Sequence, residues 1–213
     1  MTARPGKSSG LTRGFTLIEV MMALTVLAVG VLGVIALGKA TVVANLDARQ
    51  MTTASSVARV WLERLQADAT QWNHPSSFRP TSDLTTDTLF LKNYNTGWFL
   101  PAGGPGPVVY SSAFDLNGND IPVGETADVI YCANVRLTTI YNDPLLPPGS
   151  GIPSMLRAEV RVYWKKNRSP IGQSSAACSG ATSGTTGADP LGGDDDNYHW
   201  VYTVAAVGKV TAQ

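Results

Sequence analysis

Arg13-Gly14-Phe15-Thr16-Leu17-Ile18-Glu19 opens an apolar run in which Glu19 is the only charge among the 24 residues from Phe15 to Gly38. A helix of about 20 apolar residues is enough to cross the hydrocarbon core of a bilayer, and this run contains no proline to interrupt one. Before it, residues 1–14 carry Arg4, Lys7 and Arg13 and no acid. The excess of positive charge predicts that this end stays in the cytoplasm while the rest of the chain passes outward. A cleaved secretory signal has a shorter apolar core, roughly 7–15 residues, that ends in a small-x-small site. This run is longer, and it continues into a helical pattern.

Glu19 is the unusual member. A carboxylate at membrane depth is costly and points to function, usually with a partner cation. Its place near a helix N-terminus relieves part of that cost through the helix dipole. A cut between Gly14 and Phe15 would create an α-amino group at the same depth, and Glu19 of one subunit could pair with the Phe15 amine of a neighbour. A carboxylate that snorkels to the interface with no partner is the other reading of the same residue.

Gly14-Phe15-Thr16-Leu17-Ile18-Glu19-Val20 resembles the processing site of type IV prepilins and of type II secretion pseudopilins. The shared features are a basic leader, Gly before the cut, Phe after it, Glu at the fifth mature position and an uninterrupted apolar helix. The resemblance implies that prepilin peptidase cuts after Gly14 and that the Phe15 amine is methylated, with Glu19 recruiting and registering the subunit in a filament. Glu19–Leu24 and Val26–Gly33 are similar to the PilV group of minor pilins. Many major pilins carry a proline midway along this helix, and its absence here leans toward a minor subunit.

Helical periodicity continues past the apolar run. Ala54, Val57, Ala58, Trp61, Leu62, Leu65 and Ala69 recur at three- and four-residue spacing, with Arg59, Glu63, Arg64 and Asp68 on much of the remainder. One helix is expected from Phe15 to about Gln71, its first breaker being Pro75. The alternative is two helices broken near Gly38–Asn45, where Thr41, Val42 and Val43 are weak helix formers. Residues 73–87 read as a connecting loop. Strands are expected at Leu89–Lys92, Val108–Phe114, Asp128–Thr138, Leu156–Lys165 and Tyr198–Val210, and residues 167–197 as a long Ser-, Gly-, Thr- and Asp-rich loop. Leu156, Ala158, Val160, Val162 and Trp164 alternate with Arg157, Glu159, Arg161, Tyr163 and Lys165, so one face of that strand should be buried and the other polar. The expected architecture is α+β and type IV pilin-like: a long N-terminal helix packed on an antiparallel sheet with long loops. Its parts are a leader at 1–14, a membrane or filament-core half-helix at 15–38, an amphipathic half at 39–72 and a globular domain at 73–213.

The chain's two cysteines, Cys132 and Cys178, are 46 residues apart. The expected topology puts both outside the cytoplasm, where a disulfide persists. A bridge would tie the long loop to the strand at 128–138; two separate thiols is the alternative. Asp115, Asn117 and Asn119, with Glu125 and Asp128 downstream, place oxygen ligands in the alternation of half a Ca²⁺ loop. The glycine falls at the fourth position instead of the sixth and no Glu stands at the twelfth, and an Asn-Gly turn accounts for the same residues. Asp194-Asp195-Asp196 reads as a solvated acidic turn.

His74 and His199 have no neighbours at metal-site spacing, and no nucleophile elbow, phosphate loop or Cys-x-x-Cys occurs. No cofactor is expected apart from that candidate Ca²⁺, and no enzymatic activity. Without the three leader charges the chain has 13 basic and 16 acidic residues, which argues against a general nucleic-acid-binding role. Lys165, Lys166 and Arg168 beside Trp164 are read as a solvated strand end.

The resemblance implies a PilV-like minor pilin that helps prime pilus assembly or forms part of the tip complex, with consequences for motility and adhesion. Its partners would be other minor and major pilins through the N-terminal helix, prepilin peptidase, and a tip adhesin. It would be a single-pass inner-membrane protein with its domain in the periplasm before assembly, and part of the pilus at the cell surface afterwards. Two alternatives stay open: a minor pseudopilin of type II secretion, and a signal-anchored periplasmic binding protein that works alone.

Overall fold

A computed structural model describes residues 14–72, 83–104, 109–142, 153–180 and 196–208. The chain divides into two compact units, Met1–Ala48 and Arg49–Gln213. Helix α1, Leu17–Trp72, contributes to both and has no break at Gly38–Asn45. Residues 1–13 of the leader, and His74, Asp194 and Asp195, lie outside the described residues.

In the first unit every described residue from Gly14 to Leu46 is exposed. The apolar side chains cover the whole circumference of the helix, so no stripe distinguishes an inner face. Its hydroxyls are satisfied within the helix: Thr25 Oγ1 donates to the Met22 carbonyl at 2.8 Å, and Thr41 Oγ1 donates to Gly38 O at 2.9 Å and to Leu37 O at 3.1 Å. Such back-bonding lets Thr reside in an apolar helix without an orphaned donor. Among the described helices α1 alone is long and apolar enough to cross a membrane.

The second unit begins where the stripe begins. Ala54, Val57, Ala58, Trp61, Leu65, Ala69 and Trp72 are all buried, and Leu62 is partly so. They pack on an antiparallel sheet of order β1-β4-β5-β7, with β2 also pairing with β4. The strands are β1 (Trp98–Phe99), β2 (Ala113–Phe114), β4 (Tyr131–Asn142), β5 (Pro153–Lys165) and β7 (Tyr198–Gly208). Tyr131, Ala133, Val135 and Leu137 of β4 and Leu156, Ala158, Val160, Val162 and Trp164 of β5 form this core with the helix, and Trp61 meets Phe90 edge to face at 5.3 Å. This α+β arrangement of a long helix and an antiparallel sheet is consistent with a pilin-like fold.

The opposite face of the sheet departs from expectation. Glu159, Arg161 and Tyr163 are buried there instead of facing water. A second, smaller core of Ala113, Ile121, Val129, Cys132, Tyr163 and Cys178 covers part of it. It is built around a two-stranded sheet of β3 (Thr126–Val129) and β6 (Gly172–Ser174) and the short helix α3 (Ala177–Gly180). The expected 128–138 strand is therefore two strands, divided at Ile130, whose N–H donates to Phe114 O at 2.9 Å.

Leu89–Lys92 is not a strand. The Asp68 carboxylate accepts the N–H groups of Leu89, Phe90 and Leu91 at 2.8, 2.8 and 2.9 Å, so these donors are withdrawn from any ladder. The segment follows helix α2 (Leu84–Asp87) and closes into a 3₁₀ turn at Leu91–Asn93. The expected strand ending at Phe114 shrinks to Ala113–Phe114. Upstream, Tyr110 bridges Gly103, and Ser111 Oγ donates to Ile121 O and accepts from Ala113 N–H.

Candidate functional site

The helix begins where the motif predicts. Thr16 is the residue before α1, and its side chain and carbonyl both accept the Glu19 N–H, at 3.4 and 3.1 Å. Thr16-Leu17-Ile18-Glu19 is thus a capping-box sequence, with Thr at the N-cap and Glu at N3. That signal was available in the sequence and supplies Glu19 with a local reason to exist: an acid in the first turn complements the helix dipole. Phe15 is 82% exposed, and Gly14 has open space around the position of a Cβ. The Gly14–Phe15 bond and the Glu19 side chain therefore stand together at an exposed helix start. Among the described residues Glu19 has no ion-pair partner.

The Asp115 loop is a closed turn. Asp115 Oδ1 accepts the N–H groups of Asn117 and Asn119, each at 2.8 Å, and Oδ2 accepts from Asn119 Nδ2 at 2.9 Å. Partial burial opposes ionisation of this carboxyl, but the Asn119 side chain and the backbone N–H groups of Asn119, Asn117 and Gly118 outweigh it and hold the pKa below the ordinary Asp value. Asn119 thus serves the turn through its side chain and its N–H, and Asn117 through its backbone N–H. Glu125 is in a separate turn, its N–H donating to Pro122 O at 3.2 Å. No group of three or more His, Cys, Asp or Glu suited to a metal occurs among the described residues.

Asp120, at the end of this loop, pairs through both carboxylate oxygens with Arg64 of α1. The Arg64 guanidinium also lies 4.7 Å from the Trp61 ring centroid and 4.1 Å from that of Tyr110. Arg64 and Asp68, assigned by periodicity to the polar side of the helix, are therefore what fasten the loops to it.

Cys132 and Cys178 form a disulfide, with Cα atoms 5.6 Å apart. It joins β4 to α3, and Tyr163 Oη beside it donates to Cys178 O at 3.2 Å. Burial pushes the Tyr163 phenol well above its usual pKa.

Sequence reasoning missed a charged and aromatic cluster on the same face. Glu159, 1% exposed in its side chain, pairs with Arg136 and Arg157 and accepts a hydrogen bond from Tyr202 Oη. Arg136 and Arg161 stand 4.7 and 4.4 Å from the centroid of one ring, Trp98, which also meets Tyr202 edge to face. The signal lay in register: Arg136, Glu159 and Val204 fall in one row across three strands, flanked by Arg161 and Tyr202 two residues along. A sequence shows the alternation within each strand but not the alignment between strands.

Lys165 Nζ donates to Pro170 O at 2.9 Å. Trp164 is 2% exposed and packs against Tyr131 and His199, so its ring is not presented to the basic cluster.

No characterised protein and no solved structure matched the chain in comparison. Residues 11–35 match the prokaryotic N-terminal methylation motif. The match covers the Gly14–Phe15 bond, Glu19 and most of the apolar run. It marks a type IV prepilin-like N-terminus, which implies processing by prepilin peptidase and assembly with other pilins, and indicates a type IV pilin- or pseudopilin-like protein.

Proposed function

We propose that this chain is a PilV-like minor pilin of a type IV pilus that helps prime assembly or forms part of the tip complex, a structural role without catalysis. The observation that carries the reading is the methylation motif at the start of an exposed, apolar, unbroken helix. In this reading, residues 15–38 anchor the precursor in the inner membrane with the domain on the periplasmic side, and then pack into a filament core. Glu19 pairs with the Phe15 amine of a neighbour during assembly, while apolar contacts supply most of the packing energy. The absence of proline between Phe15 and Gly38 supports a minor subunit over a major one.

Mass spectrometry of the mature protein tests the first step, with an N-terminal methyl-Phe15 expected. Gly14→Val should leave the leader attached, and a mature-length product from that variant would sink the processing assignment. Glu19→Ala should insert in the membrane normally yet fail to enter filaments; normal incorporation would remove the pairing role. Deletion separates the two machines that share the motif, since loss of pili is expected here and loss of protein secretion with pili intact would assign a pseudopilin.

A further inference from the structure

The two edges of the main sheet are built differently. Beyond β4 the edge is broken into β1 and β2, two residues each. Beyond β5 it is a single strand, β7, eleven residues long and paired with β5 without a register shift from Tyr198 to Gly208. Among the described residues β7 pairs with β5 alone. An antiparallel strand aims alternate backbone N–H and C=O groups away from its neighbour, so this side offers a row of hydrogen-bonding groups to an incoming strand.

Proteins blunt such edges with charge, proline or bulges, because an open apolar edge pairs with whatever strand it meets. Tyr198–Gly208 contains no Lys, Arg, Asp, Glu or Pro, and its outer row is apolar: Trp200, Tyr202 and Val204 are 45%, 43% and 44% exposed. The surface beside that row has a definite charge. Arg157 and Arg136 have side chains 52% and 38% exposed, whereas Glu159 between them is 1% exposed. The accessible charge is therefore positive. Arg157 is directly opposite Ala206, so only a methyl group separates it from the edge that is open among the described residues.

We propose that β7 seats an extended strand of another protein subunit, antiparallel to it, with uncharged side chains against Trp200, Tyr202 and Val204 and a carboxylate facing Arg157. Backbone pairing supplies affinity in this mode of recognition, and alternate side chains supply specificity. A second copy of β7 is the wrong occupant. Tyr198–Gly208 holds no Asp or Glu to face Arg157, so a β7–β7 pair supplies no carboxylate to that charge and brings two positive surfaces together.

The test is a register walk by photo-crosslinking in cells that express the full chain from its own locus. p-Benzoylphenylalanine is placed in turn at Tyr202, Val204 and Ala206, and the adduct sites are mapped by mass spectrometry. The expected result is adducts in one segment of another protein, shifting by two residues toward its N-terminus at each two-residue step along β7. Arg157→Glu should lower the Val204 adduct at least fivefold, and Arg157→Lys should retain most of it. Absence of adducts at all three positions, adducts that do not step by two, insensitivity to Arg157→Glu, or adducts to β7 of a second copy would each overturn the proposal. Retention of the leader in Gly14→Val bears on the processing assignment alone, so the two readings fail separately.

Discussion

The two halves of helix α1 share a backbone conformation and little else. From Gly14 to Leu46 every side chain is exposed, whereas from Gln50 to Trp72 one stripe is buried at the positions where apolar residues recur every three or four. The first half is apolar on all sides and has no packed face; the second is apolar on one side and covers a sheet. Helix formation alone therefore says nothing about where the stability resides. In water the first half costs free energy, since its apolar surface meets solvent, and it gains only when lipid or other helices surround it. The second half gains within the chain itself.

The sharpest way to break this comparison is to truncate one apolar residue in each half. Trp61→Ala removes a side chain with no exposure from the middle of the core and should cost about 3–5 kcal/mol. Val29→Ala, at a position 71% exposed, should leave the domain's thermal unfolding by circular dichroism unchanged while weakening filament incorporation. An equal loss of thermal stability from both would mean that the two halves are not distinct. Asp68→Ala comes next. It leaves the N–H groups of Leu89, Phe90 and Leu91 without their acceptor and should cost about 3 kcal/mol, read as a lowered urea midpoint. Asp68→Asn should recover part of that loss, because its carbonyl oxygen still accepts.

How much of this was legible in the residues varies by region for physical reasons. The helix was readable because its signals are local: charge exclusion from Phe15 to Gly38, then apolar spacing from Ala54 to Ala69. β5 was readable by alternation, and β7 by its run of β-branched and aromatic residues. Leu89–Lys92 was not, since its conformation is decided by a carboxylate 21 residues away. Burial of Glu159 and Arg161 was also hidden, because alternation reports that one face differs from the other and not that both are covered. At the N-terminus the processing motif was legible and the capping box within it was overlooked, although both use Glu19.

The outer face offers a smaller, pH-dependent effect. Burial opposes ionisation of Glu159, but hydrogen bonds from Arg136 and Tyr202 and the charges of Arg136 and Arg157 outweigh it, so its pKa is below the ordinary Glu value. A depressed carboxylate pKa contributes stability that is complete above the unfolded value and is lost as pH falls through the folded one. The wild-type domain should thus weaken as pH drops below the usual Glu range. Glu159→Gln should cost about 2 kcal/mol at pH 7, below the range for fully buried pairs because both arginines are partly exposed. The gap between variant and wild type should narrow in acid; a gap independent of pH from 7 to 3 would show that the side chain's shape matters and its charge does not.

The smallest predicted effect probes where the Asp115 turn meets the helix. Gly118 has φ +82°, a conformation L side chains adopt at a cost, and a Cβ there would lie 3.0 Å from Thr53 Cγ2 and 3.3 Å from Val57 Cγ2 of α1. Backbone and neighbour both disfavour Gly118→Ala, which should cost about 1–2 kcal/mol. The two causes separate by a double substitution. Thr53→Ser deletes the nearer methyl and keeps the hydroxyl that hydrogen-bonds Tyr131, so in its background Gly118→Ala retains only the conformational penalty and the milder contact with Val57. The cost in that background should fall by about half, measured as a coupling in a double-mutant cycle. Zero coupling would show that the Thr53 methyl does not press on the turn, leaving the positive φ and the Val57 contact to carry the penalty.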